Sequence, residues 1–312
     1  MKHFKRFIFF SGFIALVLFL GACSTSPAPI TRETLEAEAS TAYPLLYNRT
    51  TGAAVIGTIN TAGSYTNLAN LTLPRNWTQV VRTPYGIFFY NAGNGSARFG
   101  KFSSTGTYSQ LVTYPAGSFW TGSHIVNTPN GVLFYRSSDG AAWLGGFDIS
   151  GNFYTVNSNP GIIGAGWSQV VNTPNGVFFY KASDGSGGFG EFDIDGVYEQ
   201  TATYPAGTFS RSFSRVVNTA NGVLFYRTSN GSVAFGRFEV NGVYTQLSSG
   251  GPGFFFTGWS QIIGLPTGGI FFYNASTGAS FVGGFDSSGT YFNINPNPGS
   301  FATGYSRVAS TR

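Results

Sequence analysis

One block of about 45 residues recurs along this chain, and the recurrence narrows the fold more than any composition figure does. Its clearest copy runs Trp167-Ser-Gln-Val-Val-Asn-Thr-Pro-Asn-Gly-Val-Phe-Phe-Tyr180, then a glycine-rich stretch ending near Tyr198. Taking the closing tyrosine as an anchor, the copies fall at Tyr47, Tyr90, Tyr135, Tyr180, Tyr226 and Tyr273, at spacings of 43, 45, 45, 46 and 47 residues. A glycine follows each anchor by five residues (Gly52, Gly95, Gly140, Gly185, Gly231, Gly278) and another by ten (Gly57, Gly100, Gly145, Gly190, Gly236, Gly283). An aromatic follows by eighteen: Tyr65, Tyr108, Phe153, Tyr198, Tyr244, Tyr291. Such a period marks a repeat architecture.

The first copy lacks its leading segment, because the chain before Tyr43 reads Glu-Ala-Glu-Ala-Ser-Thr-Ala. The missing piece stands at the other end, as Gly304-Tyr305-Ser306-Arg307-Val308-Ala309. An open solenoid would carry polar caps at both ends. A closed ring, in which the last strand completes the first unit, accounts for the split copy.

Each copy reads as four short strands. Trp-Ser-Gln-Val-Val is the first, and Pro-Asn-Gly then turns the chain, since proline presets φ and Asn-Gly accepts positive φ. Gly-Val-Phe-Phe-Tyr is an unbroken apolar strand of the kind covered on both faces. Asn-Gly and Asp-Gly pairs such as Asn94-Gly95 and Asp184-Gly185 lead into the third strand, and a further glycine turn leads into the fourth. Where a glycine and an aromatic recur together, the glycine leaves room for a ring from a neighbouring blade. The expectation is an all-β chain over residues 43–312, a six-bladed β-propeller of four-stranded blades closed by its C-terminal strand.

Ahead of the repeats, Lys2, Lys5 and Arg6 form a basic segment and Phe7 to Leu20 an apolar one, as in a signal peptide spanning 1–22. The run Leu20-Gly21-Ala22-Cys23 resembles the bacterial lipobox, which implies lipidation, palmitate included, at Cys23. Residues 23–42, rich in Ser, Thr, Pro, Ala and Glu, then read as a tether between membrane and propeller. The implied location is the bacterial cell envelope: the outer membrane in a Gram-negative host, otherwise the outer face of the cell membrane.

Composition excludes several chemistries. Of 17 basic residues three lie in the leader, leaving 14 against 12 acidic ones, so no basic face for nucleic acid is expected. Beyond the leader there is one cysteine, Cys23, and one histidine, His124. Intradomain disulfides, His/Cys metal clusters and a Cys-His nucleophilic pair are excluded, and no metal or cofactor is expected. No catalytic constellation is visible, and the expectation is a protein that is not an enzyme.

With Trp-x-x-(Ile/Val), Gly-(Val/Leu)-(Leu/Phe)-Phe-Tyr and the glycine hairpin laid out, the chain resembles the tachylectin-like lectin propellers over residues 43–312. That resemblance implies carbohydrate binding, although no binding residue of those lectins matches position by position. The shared tryptophans Trp77, Trp167 and Trp259 read as core. Positions that break the repeat are the ligand candidates: Trp120, His124, Arg136 and Trp143 around one copy, with Lys181 and Arg227 after the next two anchors. Aromatic faces beside cations suit a sugar or an acidic glycan. An envelope scaffold binding proteins instead of sugar is the alternative. A third reading is a glycan-cleaving enzyme using Glu191, Asp193, Asp195 and Glu199, of which the first three would share one strand face.

Overall fold

The structure, a computed structural model, describes residues 41–161 and 163–311. Cys23, the leader and most of the tether lie outside the described residues. What is described is all β: six antiparallel sheets, with no helix among the described residues. In the blade of Tyr180 the strands are Gln169–Thr173, Gly176–Lys181, Ser186–Phe192 and Tyr198–Tyr204, paired in that order from the axis outward.

The split blade is completed as expected. Arg307–Ser310 pairs with Pro44–Tyr47 in the register Leu46↔Val308, and Thr311 N–H donates to Tyr43 O at 2.9 Å. Thr41–Ala42 continues the Pro44–Tyr47 strand in the same register against Ala53–Asn60, so the propeller takes the last two residues expected in the tether. Each innermost strand touches the innermost strands of both neighbouring blades, all the way round. The ring is closed.

The anchor tyrosines show why a polar side chain recurs in the core. All six are fully buried. The Tyr180 hydroxyl donates to Ser210 O at 2.8 Å and accepts from Phe213 N–H at 3.2 Å. Tyr226 and Tyr273 repeat the arrangement, bonding Phe256 O and Ala302 O. Burial raises these phenols above their usual pKa, partly offset by the donated backbone hydrogen bond. Each hydroxyl ties the loop between blades to the sheet without leaving a buried polar atom unpaired.

The paired glycine and aromatic pack differently from expectation. A Cβ on Gly190 would stand 2.6 Å from the Tyr198 ring, and one on Gly100 would stand equally close to Tyr108. The ring comes from the outer strand of the same blade and not from its neighbour. Every blade carries a β-bulge at this glycine. The extra residue belongs to the fourth strand, as Thr201 does opposite the step from Phe189 to Gly190, and the aromatic of that strand lies against the glycine. The glycine five residues after each anchor has φ between +70° and +82°, which demands glycine at the hairpin between the second and third strands.

Six apolar clusters fill the six seams between blades, each built from the second strands of two neighbours. The seams are also clasped by polar side chains. The Gln79 amide donates to Ser123 O at 2.6 Å and accepts from Ile125 N–H at 2.8 Å. Gln169 does the same to Phe213 O and Val216 N–H. Arg215 and Arg307 replace glutamine at this position and donate to Ser260 O and Thr78 O. Farther out, Asn130, Asn175 and Asn221 each donate to a carbonyl of the next blade, at Phe192, Phe238 and Phe285.

Candidate functional site

The turns divide the molecule into two faces. Turns from first to second and from third to fourth strand lie on one face. The second-to-third hairpins and the loops between blades lie on the other, which carries Trp120 and Arg136. Their presentation follows from the loop: Phe119 is buried, stacked on Phe134 at 5.1 Å with rings within 2° of parallel, and the Tyr90 hydroxyl donates to Trp120 O. With both ends pinned, the Trp120 ring is left half-buried at the surface.

The Arg136 guanidinium stands 5.1 Å from the Trp120 ring centroid, and the Trp143 ring lies 5.6 Å away, inclined at 45°. Arg136 donates to the Asp139 carboxylate through Nε (2.9 Å) and Nη2 (2.6 Å), which fixes the guanidinium plane over the indole. That hydrogen bond holds the Asp139 carboxyl below its usual pKa, and Arg136 rises correspondingly. Trp143 donates its indole N–H to Thr155 Oγ1 at 3.2 Å. Two half-exposed indoles thus sit beside a charge pair, which was not singled out from the sequence as a pair because Asp139 reads there only as a turn residue.

Trp143 also has a packing role. In the Tyr180 blade the leading Trp167 lies over Gly188, whereas in the Tyr135 blade glycine occupies the leading position, as Gly122, and Trp143 occupies the third-strand one. Trp143 packs on Phe134 at 5.3 Å and Phe153 at 4.9 Å, filling volume the leading tryptophan fills elsewhere. It is the floor of the site, and Trp120 is its open wall.

The other three candidates are not brought into this cluster. His124 occupies the clasp position of Gln79 and Gln169, on the inner strand, with its ring 6.1 Å from Tyr135. Burial lowers its pKa. Lys181 pairs with Asp184 at 3.7 Å, and Arg227 lies 5.9 Å from the Phe213 ring and donates to Ser210 Oγ at 3.0 Å. Each repeats the Arg136 position one blade farther on, so the three cations are spread over three blades.

The expected carboxylate row is also rearranged. The third strand ends at Phe192, and Asp193 and Asp195 lie in the following turn, where Asp193 accepts from Val197 N–H at 2.8 Å. Glu191 instead faces Glu199 across the strands. Among the described residues no three His, Cys, Asp or Glu side chains converge on a point. The axial channel, about 410 Å³, is lined by valines and isoleucines with Asn127, Asn172, Asn218 and Arg82 at one level. No carboxylate or imidazole is among those lining residues.

No protein-family model and no curated protein matches the sequence. Solved structures share the fold. A candidate 6-phosphogluconolactonase from Bacteroides fragilis superposes with a TM-score of 0.62 at 10% identity, covering 91% of this chain and 99% of its own. A second, from Bacteroides uniformis, gives 0.63 at 12% identity over 87% and 99%. The periplasmic gluconolactonase of Pseudomonas aeruginosa gives 0.56 at 13% identity over 88% and 99%. The expectation of a non-enzyme is corrected here: structures matching nearly end to end bear the names of lactone hydrolases, so this architecture hosts catalysis. At such identities the likeness itself extends to the fold alone, and chemistry has to be argued from this chain's own residues.

Proposed function

We propose that this protein is a lipid-anchored, carbohydrate-binding propeller of the bacterial envelope, holding its ligand on the face that carries Trp120. One observation carries the reading: an arginine, fixed by a carboxylate, set 5.1 Å from one of two inclined, half-exposed tryptophans. The apolar face of a pyranose stacks on an indole, while its hydroxyls need donors and acceptors at the rim. Arg136 Nη1 is left over from the Asp139 pair to supply a donor, and a carboxylated sugar would add charge to that bond. The lipid anchor rests on the leader and Cys23.

The test is a glycan array followed by titration of hits, with tryptophan fluorescence as the readout. Trp120→Ala is expected to weaken binding at least tenfold with little change in melting temperature, since the ring packs on the surface. Undiminished affinity in that variant would remove the site. For the anchor, Cys23→Ser should abolish incorporation of labelled fatty acid; retained label would refute it.

A second reading, hydrolysis of a sugar lactone, is favoured by the names of the structural neighbours. Water would add to the lactone carbonyl, the ring C–O bond would break, and the aldonic acid formed would release one proton. A pH-stat assay on glucono-1,5-lactone decides it: proton release no faster than without protein counts against hydrolysis of that substrate.

A further inference from the structure

Three consecutive blades carry an aliphatic side chain at the tip of the turn between third and fourth strands. Ile149, Ile194 and Val240 are 68%, 80% and 69% exposed. The same position holds Ser104 and Ser287 in two other blades. Turn chemistry does not require these residues, because neighbouring polar side chains make the turns: Asp148 accepts from Ser150 and Asn152, Asp193 from Val197, and Asn241 from Val243. Packing does not require them either, at such exposure. Single exposed apolar residues are ordinary, but an arc repeated at one structural position over half the ring is not.

The arc lies on the face opposite Trp120, and the chain itself indicates what covers it. Thr41 pairs with Asn60 at the start of the corresponding turn in the Tyr47 blade, so residues 1–40 join the ring on this face, across the axis from the arc. Fewer than twenty residues separate Thr41 from Cys23, a reach of at most about 65 Å even if fully extended. A tether of that length, attached at this face and lipidated at Cys23, lets the three tips reach the surface that holds the lipid.

We propose that this face docks on the lipid bilayer, with Ile149, Ile194 and Val240 inserted at the level of the headgroups and Trp120 turned away from the membrane. The proposal rests on lipidation at Cys23. Charges near the arc have both signs: Lys101 donates to Ile149 O, Arg237 pairs with Glu239, and Asp193 and Asp195 flank Ile194. Docking by the apolar tips should therefore depend little on salt.

The experiment uses the full lipidated protein in phosphatidylcholine vesicles that carry a bromolipid quencher. Cys23 is the one cysteine of the sequence and is acylated, so a fluorophore can be attached at Ile194→Cys or, on the opposite face, at Ser229→Cys. The expected result is quenching at 194 and none at 229. With the probe moved to Ile149→Cys, changing Ile194 and Val240 to Asp should lower the docked fraction relative to the undocked about tenfold per tip. Vesicle-bound protein with an unquenched 194 probe would overturn the docking and leave the anchor standing. Protein that fails to float with vesicles would overturn both. Shielding of the 194 probe that needs no vesicles and grows with protein concentration would assign the arc to a second copy and overturn the lipid proposal.

Discussion

Trp259 and Trp120 belong to the same kind of segment, the loop that carries the chain from one blade to the next, yet they serve different ends. Trp259 is 7% exposed and packs on Phe272 in a seam, with its backbone N–H held by the Tyr226 hydroxyl. Counted from the preceding anchor tyrosine, Trp120 stands three residues earlier; its own carbonyl is the one the Tyr90 hydroxyl holds, and its ring remains at the surface beneath Arg136. The anchor tyrosine draws the line between them. The residue whose N–H it holds is pulled into the seam, and the residue whose carbonyl it holds, Trp120 here and Phe256 in the loop of Trp259, is left at the surface. Positions shared by the blades therefore carry packing, and positions peculiar to one blade are free for a ligand.

The comparison can be broken most severely at the closing strand. Deleting residues 303–312 removes the partner of Pro44–Tyr47 and bares a sheet edge, and the expected outcome is aggregation and loss of a cooperative thermal transition. A soluble truncated protein with the parent's melting temperature would show that the seams hold without closure. Next in size, Trp259→Ala should cost about 3–5 kcal/mol in chemical denaturation, as for other buried tryptophans. A loss no greater than that of Trp120→Ala would erase the distinction drawn here. Gly190→Val should cost on the order of 1–3 kcal/mol or more, because the new side chain meets the Glu199 carbonyl and the Tyr198 ring of its own blade. The double change Gly190→Val, Tyr198→Ala should then cost less than the sum of the two single changes, whereas a clash between blades would leave the two costs additive.

The smallest effect concerns His124, and its sign follows from burial. The folded-state pKa is lowered, so between that value and the unfolded value near 6.5 the unfolded chain binds more protons. His124 therefore costs stability as pH falls below about 6.5 and nothing above it. His124→Gln should flatten the stability profile below that pH, and a glutamine able to clasp the next blade as Gln79 does should add about 1 kcal/mol at neutral pH. An unchanged slope between pH 5 and 7 would place the titrating group elsewhere.

The repeat made the architecture legible: anchor, turn glycines and split blade gave blade number, strand order and closure. It could not show which surface a recurrent glycine faces, because a period of one blade is equally satisfied by a partner in the same blade or the next. Nor could it tell that Asp193 and Asp195 leave the strand, since strand ends follow from pairing and not from alternation. Of the site candidates, Trp120, Trp143 and Arg136 converge because loop and hairpin of adjoining copies meet at one end of a seam. His124 looked comparable in sequence only because a substituted clasp and a substituted surface residue both appear as breaks in a pattern.

The join between Arg307–Ser310 and Pro44–Tyr47 also orders events in time. The strand that completes the first sheet is synthesised after every other strand of the ring, so the inner edge of the first sheet stays unpaired while five blades are being made. Closure cannot proceed in step with synthesis. It is a single long-range event at the end, slow by its loop length and exposed to mispairing until it happens.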